Sequence, residues 1–355
     1  MAVTGCTPED ENVLKIGMVG PLSGEAAAYG VNILRAAEIA VEEANASGEL
    51  GDITLKIISE DTEGDWSKAA NAFTKLIDVD KVSVIIGGVL SSESEAGSTI
   101  VKDAKIPTIS PSSTAVDLTK DNPYLFRNCL SDEVQAVQMA EFAVEELGLG
   151  KFAVLYTTND YGKSLRDAFE NKAEELAEVV AVEAFADKDN DFKPQLTAIK
   201  EKNPDCLYIA GYYTEAAKIA QQAKDLGMDV QILGADGLCN AVLLEIGGEA
   251  VEGTYATSGF YPDDPSPAVQ NFVKAYQDKH GEEPDMFAAQ GYDAARIVIE
   301  AIKSKGSTSE EIREGLAATK DFPGITGKTS IDEEGDTIKD VLILKVEDGK
   351  FARAR

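Results

Sequence analysis

Residues 87–114, GGVLSSESEAGSTIVKDAKIPTISPSST, read as an apolar strand end, a Ser-rich turn, a helix, a second strand and a second Ser/Thr-rich turn. Ser92–Glu95 and Thr114–Asp117 each fit the capping-box spacing, so a helix is expected to start at both turns. Free backbone N–H groups at those starts, with the spare hydroxyls of Ser91, Ser112 and Ser113, would converge on one crevice beyond the strand ends. Open α/β sheets bind ligands there. One such turn is explained by capping alone; two on neighbouring strands describe an anion site without a permanent positive charge, suited to a carboxylate that is held and then released.

The same alternation extends in both directions. VLKIGMVG (13–20), ITLKIISE (53–60), VSVIIGG (82–88) and IPTIS (106–110) read as strands, with helical periodicity over 30–46 and 66–78, and YLFRN (124–128) leads out. A second series opens with a helix at 133–147 and continues with strands at 151–157, 179–185, 205–211, 230–235 and 252–258, most separated by helices. Helices near 266–279, 286–304 and 309–319 and strands at 325–331 and 340–349 close the chain. This predicts an α/β fold of two similar domains, each a mainly parallel sheet flanked by helices.

A length of 355 residues fits about two domains. Charge is lopsided: 33 basic against 63 acidic residues gives 33 − 63 = −30, which disfavours nucleic acid and anionic membrane as partners. The acids are spread over helix faces and read as a solvated surface. Cys6, Cys129, Cys206 and Cys239 are far apart with no C-x-x-C, which argues against a zinc or thioredoxin-like site and assigns no disulfide. Cys206, in PDCLYIA, is expected to be a buried thiol. Val3-Thr4-Gly5-Cys6 followed by TPEDEN resembles a bacterial lipobox, making Cys6 the candidate lipidation site of an exported precursor, with residues 1–12 a tail. No apolar run is long enough to span a bilayer.

Enzyme signatures are scarce. G-x-G-x-x-G, Walker A, G-x-S-x-G and H-E-x-x-H are missing, and the single histidine, His280, falls at a helix end. Asp187–Asp191 imitates half of a calcium loop but has Phe192 and Ala198 where that loop needs Gly and Glu, so it reads as a turn and no metal or cofactor is expected. In the second series Tyr161, Tyr212 and Asp236 each follow a strand, and one acid with phenol hydroxyls suits a ligand ammonium.

VLKIGMVGPLSGEAAAYG, SSESEAGS, IPTISPSST, LFRN, YGKS, AGYYTEAAKIAQQAKDLG, LGADG and GYDAA follow one another in this order along nearly the whole chain. Together they resemble the leucine/isoleucine/valine-type substrate-binding proteins of ABC importers, of the type I periplasmic-binding fold. The resemblance implies two domains, 13–128 plus 259–331 and 129–258 plus 332–355, joined by three crossovers near Asn128, Ser258 and Asp332. It further implies no catalysis, a monomer, and a ligand closed into the cleft for delivery to a membrane permease. By the same resemblance Ser91, Ser112 and Thr114 would hold the ligand carboxylate, and Asp236, Tyr161 and Tyr212 the ammonium. Tyr29, Leu90 and Phe287 would line the side-chain pocket. Asp236 stands where other members carry Glu, and Glu63 and Leu90 stand where some relatives carry a disulfide.

Three functional classes compete. An aliphatic amino-acid-binding protein of an importer fits best, although family members also bind amides, urea and aromatic carboxylates; an acid at 236 favours an amine. A ligand-sensing regulator would, as a repressor, need a DNA-binding segment ahead of a strand that already begins near residue 13. A hydrolase would need a base for Ser91, and no motif places one.

Overall fold

A computed structural model describes residues 12–355; the tail carrying Cys6 lies outside the described residues. The first series supplies β1 (Val13–Gly20), α1 (Ala27–Ser47), β2 (Thr54–Asp61), α2 (Trp66–Lys75), β3 (Val84–Gly87), α3 (Ser91–Ala104), β4 (Thr108–Ser110) and β5 (Leu125–Arg127). These strands form one parallel sheet in the order β2-β1-β3-β4-β5. All four residues of β3 are buried, as an apolar strand covered on both faces must be.

The second series supplies α4 (Asp132–Glu145), β6 (Lys151–Thr157), α5 (Asp160–Leu176), β7 (Glu178–Phe185), α6 (Lys193–Lys200), β8 (Cys206–Ala210), α7 (Tyr213–Asp225), β9 (Gln231–Gly234), α8 (Ala241–Gly247) and β10 (Tyr255–Ser258). The chain continues through α9 (Pro267–His280), α10 (Met286–Lys305), α11 (Ser309–Ala317) and the small sheet β11 (Phe322–Gly324), β12 (Gly327–Ile331) and β13 (Thr337–Ile338). It ends in β14 (Leu342–Glu347) and β15 (Lys350–Arg353), which join the second sheet in the order β15-β14-β10-β9-β8-β6-β7. Cys206 is fully buried in β8, and Cys129, Cys206 and Cys239 are all free thiols.

Helix α10 carries Ala294, Ile297 and Val298 into one core with Ala37 and Ala40 of α1 and Val84 and Ile86 of β3, so this late helix packs on the first sheet. Asp285 caps α10 by accepting the Ala288 N–H at 2.8 Å, and α9 begins at a Ser266 cap followed by Pro267.

Three expectations need correction. No helix starts at Thr114: Asp117 adopts a left-handed backbone (φ 61°), which breaks helical continuation, and residues 117–121 form a turn. The first helix starts at Ser91 with Glu93 as its reciprocal acid, ahead of the Ser92–Glu95 pair. The last passage into the second sheet follows Ile338 rather than Asp332, because β13 still pairs with β12, Ile331 opposite Thr337.

The segments linking the sheets are tied together by buried polar groups. Arg127 forms a bidentate ion pair with Asp336 and donates to the Ala115 carbonyl at 2.8 Å. Lys339 donates to the Asn128 carbonyl (2.8 Å), the Asn128 side chain (2.9 Å) and Thr326 (2.5 Å). Burial lowers its pKa to about 8, with the Asp293 charge pulling the other way.

Candidate functional site

The turn after β3 is organised by Glu93. Its buried carboxylate accepts the N–H groups of Val89 and Leu90 at 3.0 Å each and the Thr62 hydroxyl, and burial pushes its pKa up to about 7. The second Ser/Thr turn is stitched onto this one. Ser110 donates to the Gly88 carbonyl at 2.7 Å, Ser113 to the same carbonyl at 2.9 Å, and Ser112 to the Val89 carbonyl at 2.7 Å. Ser91 Oγ accepts the N–H groups of Thr114 and Ala115, both at 3.3 Å, which leaves its own O–H free to donate. The paired Ser/Thr turns thus carry one helix start, that of α3, instead of the two expected.

The opposite wall comes from the second sheet. Asp236 follows β9 and accepts the Tyr161 O–H at 2.9 Å; Tyr161 in turn accepts the Gly237 N–H at 3.0 Å. A Cβ at residue 237 would lie 2.6 Å from that phenol oxygen, so only glycine allows the approach. Gln135 accepts the Asp236 N–H at 3.2 Å and the Thr257 hydroxyl at 2.6 Å. Burial raises the Asp236 pKa to about 6, with the Tyr161 and Gln135 hydrogen bonds pulling against it. Tyr161 and Tyr212 stack with ring centroids 5.1 Å apart.

Tyr29, from α1, crosses between the two walls. Its O–H donates to the Gly237 carbonyl at 2.6 Å and accepts the Tyr213 N–H at 3.3 Å, while its ring lies 4.3 Å from Phe287. Further direct contacts hold the walls together: Tyr213 O–H to the Glu25 carbonyl (2.7 Å), Asn240 to Asp285 (2.7 Å) and Val116 N–H to Ser164 Oγ (2.9 Å).

Between the walls lies a small cavity lined by Tyr29, Val89, Leu90, Ser91, Ser112, Tyr161, Tyr212, Asp236, Gly237 and Phe287. Every residue that the family resemblance puts in the cleft is there except Thr114, whose fully buried hydroxyl has no hydrogen-bond partner; Ser113, expected to offer a spare hydroxyl there, instead donates to the Gly88 carbonyl and does not line the cavity. No Lys, Arg or His lines it. A second cavity adjoins at Leu90 and Tyr212 and carries Glu25, Glu63, Asp187 and Glu215 together with Lys188. A larger groove lies between α10, α11 and β11 and holds none of these residues. Trp66 is exposed at the start of α2 beside its cap, Asp65.

Sequence reasoning missed Gln135 and Gly237. The G-A-D-G run signals a tight approach after β9, but nothing in SDEVQ separates a buried Gln135 from the solvated polar residues common in the first turns of helices.

Two walls of similar α/β build enclosing a small, uncharged-to-acidic cavity define a solute-binding architecture. The chain belongs to the periplasmic binding protein family, whose model matches residues 13–350. It is 30% identical over 349 residues to the Leu/Ile/Val-binding protein BraC3 of Rhizobium johnstonii, covering 96% of this chain and 94% of that one. Among solved structures it resembles the branched-chain amino acid transporter substrate binding protein LivJ of Streptococcus pneumoniae in complex with isoleucine (35% identity, TM-score 0.91, covering 96% of this chain and 98% of that one). It also resembles an ABC-transporter solute binding protein of R. palustris in complex with benzoate (25% identity, TM-score 0.89, covering 96% and 95%).

Proposed function

We propose that this protein captures an α-amino acid, branched-chain aliphatic in preference, between two lobes outside the cytoplasm and delivers it to an ABC permease. One observation carries the reading: a single cavity gathers Ser91 and Ser112 on one wall, Asp236 on the other, and Tyr29, Leu90 and Phe287 between them. Ser91 O–H and the α3 start would take the carboxylate. Asp236, aligned by Tyr161, would take the ammonium, with Tyr212 covering it. Thr114 contributes its N–H to Ser91 rather than lining the cavity, so its part in holding the carboxylate is indirect.

The lobes would be 13–128 plus 259–338 and 129–258 plus 339–355, moving about the Arg127–Asp336 and Lys339 ties. Hinge closure around a ligand, for which periplasmic binding proteins are a standing example, needs contacts present only in the closed form. Moving such an equilibrium from mostly open to mostly closed takes about 5.5 kcal/mol of differential binding. A zwitterion gripped at both poles supplies it through charge-assisted bonds of roughly 1.5–3 kcal/mol each. The protein would work as a monomer, anchored by a lipid on Cys6 in its precursor, with no catalytic step.

The benzoate-bound neighbour supports a second reading, an aromatic carboxylate ligand. Thermal-shift screening of the purified protein against L-amino acids, amides and aromatic carboxylates, followed by calorimetry, separates the two. Leucine, isoleucine or valine at one hundred times Kd should add about 2.7 kcal/mol to unfolding. Stabilisation by benzoates alone would refute the amino-acid reading, and an ATPase-coupled uptake assay with the cognate permease tests delivery.

A further inference from the structure

Glu93 lies in the first turn of α3, two residues past Ser91, and is fully buried. Its Oε2 accepts the N–H groups of Val89 and Leu90 at 3.0 Å each, and its Oε1 meets the Thr62 hydroxyl. Val89, Leu90 and Ser91 all line the cleft cavity, so this acid is bonded directly to the cavity's own backbone. Thr62 Oγ also accepts the Gly64 N–H at 3.2 Å. A threonine hydroxyl accepts as readily as it donates, so the Thr62–Glu93 bond serves either protonation state. The hydroxyl donates to the ionised acid, or a protonated Oε1 donates to the hydroxyl, and the two N–H bonds to Oε2 stand in both cases. Among the described residues no Lys, Arg or His pairs with Glu93. Asp61 of β2 adds to the negative field, and Tyr212 on the opposite wall feels the Glu93 charge in turn. The neighbouring Ser92 borders the second cavity, where Glu25, Glu63, Asp187 and Glu215 outnumber Lys188, and Lys68 pairs with Glu63. Burial raises the Glu93 pKa to about 7, with the Leu90, Thr62 and Val89 bonds pulling against it.

Two carboxylates that share a site without a cation cannot both ionise easily. We propose that Glu93 is a proton-linked positioning residue of the cleft: it fixes the Val89–Ser91 turn, and seating a ligand carboxylate at Ser91 draws one proton from solvent onto Glu93. Glu93 does not touch the ligand. It acts through the two N–H groups it holds and through the charge it sheds when the ligand arrives. The proton settles on Oε1, facing Thr62, and no bond in the ligand changes. The inference rests on the reading that a carboxylate is the ligand group held at Ser91, and it adds a proton to that capture whether or not the ligand also carries an amine.

The test is calorimetry of leucine binding to the full chain in phosphate and in Tris, whose different ionisation heats give the number of protons exchanged. It is run on wild type and on Glu93→Gln, whose amide oxygen can keep the Val89 and Leu90 bonds while its –NH2 donates to Thr62, as the protonated acid does. A rise of about one unit from a pKa of about 7 gives an uptake of about half a proton at pH 7.5. Wild type should therefore take up about half a proton more than Glu93→Gln, and its affinity should fall about fivefold more than the variant's between pH 7 and 9. Asp236 works in the opposite sense, shedding its proton when an ammonium arrives, and the difference between the two proteins removes that part. A merely structural role would weaken leucine by one factor at every pH; equal proton counts or parallel pH profiles overturn the proposal. If Glu93→Gln does not fold, Thr62→Val takes its place: without the hydroxyl that favours the charged acid, the fall in affinity should move about one unit to higher pH, and an unmoved midpoint overturns the proposal. Failure of both variants to fold makes this frame a folding element and overturns it as well. Wild-type protein that ignores leucine but binds benzoate corrects the amino-acid reading and leaves the Glu93 comparison to be made with benzoate. Wild-type protein that binds only uncharged amides sinks both readings.

Discussion

Replacing Asp236 by Asn tests the ammonium end with little change of shape. The side chain is 5% exposed, and its Oδ1 takes the Tyr161 O–H at 2.9 Å, a bond that an amide oxygen can also accept. The Tyr161–Gly237 bond at 3.0 Å and the Gln135 bond to the Asp236 N–H do not depend on the carboxylate charge, so the wall keeps its form. What disappears is the counter-charge for a ligand ammonium enclosed with it. Deleting one partner of a buried pair costs about 3–5 kcal/mol, because the other charge is stranded. At 1.4 kcal/mol per decade this weakens leucine roughly 10²- to 10³-fold or somewhat more. Calorimetry at pH 7.5 with leucine, isoleucine and valine reads the loss directly, and a matched thermal melt checks that the variant is folded. A variant that binds leucine within about threefold of wild type would mean that the ammonium sits elsewhere and that the two-pole arrangement is wrong.

Tyr29→Phe strips the Gly237 carbonyl and the Tyr213 N–H of a shared partner where the walls meet. A cost of about 1–3 kcal/mol should appear as a 5- to 150-fold loss of leucine affinity, and unchanged affinity in a titration would discount Tyr29 as a closing contact. Arg127→Met leaves Asp336 without its buried partner and frees the Ala115 carbonyl; urea unfolding should show a loss of about 3–5 kcal/mol, and a loss below 1 kcal/mol would contradict the pairing. Glu93 and Asp132 (about 7) and Asp236 and Asp285 (about 6) have folded pKa values raised chiefly by burial. Their contribution to stability is full below the unfolded carboxylate range near pH 4 and is lost as pH rises through 6–7. Ligand-free protein should therefore lose stability between about pH 4 and 7 and level off above that, while leucine protection grows, and urea melts showing the reverse trend would rule this out.

How far the fold could be read depended on how much tertiary context each element needs. β8 announced itself because all five of its residues are buried and apolar, and α10 because its buried face recurs at helical spacing. Thr114–Val116 misled because a hydroxyl three residues before an acid is only a local signal. In the folded chain Ser91 takes the Thr114 N–H, Asp132 donates its N–H to the Thr114 carbonyl at 2.7 Å, and Asp117 turns left-handed. The passage after Ile338 was hidden because β13 is only two residues long. At the site, groups standing at strand ends were legible, since that position follows from the alternation itself. Gln135 reaches Asp236 from the first turns of α4, and its burial is set by a wall that no local pattern describes.

The two walls divide the work unequally, and the hydrogen bonds say why. On the first wall the hydroxyls of Ser110, Ser112 and Ser113 are spent on the carbonyls of Gly88 and Val89, which leaves Ser91 as the free hydroxyl donor among the serines lining the cavity. A neutral donor on a fixed frame can meet a carboxylate without first losing a counter-ion. On the second wall the charge of Asp236 is costly where it is buried, as its raised pKa records. That cost falls when an amine arrives, so the negative wall is best satisfied by a ligand already held at its other end. Tyr29 joins the two events, because the ring that packs on Phe287 beside the side-chain pocket carries the hydroxyl that reaches Gly237, the neighbour of Asp236. A ligand with the wrong side chain would disturb that ring, and through it the alignment of the acid. On the proposed reading, side-chain selection and ammonium capture would be coupled by one residue, and Tyr29→Phe should then narrow the preference among leucine, valine and alanine as well as weaken all three.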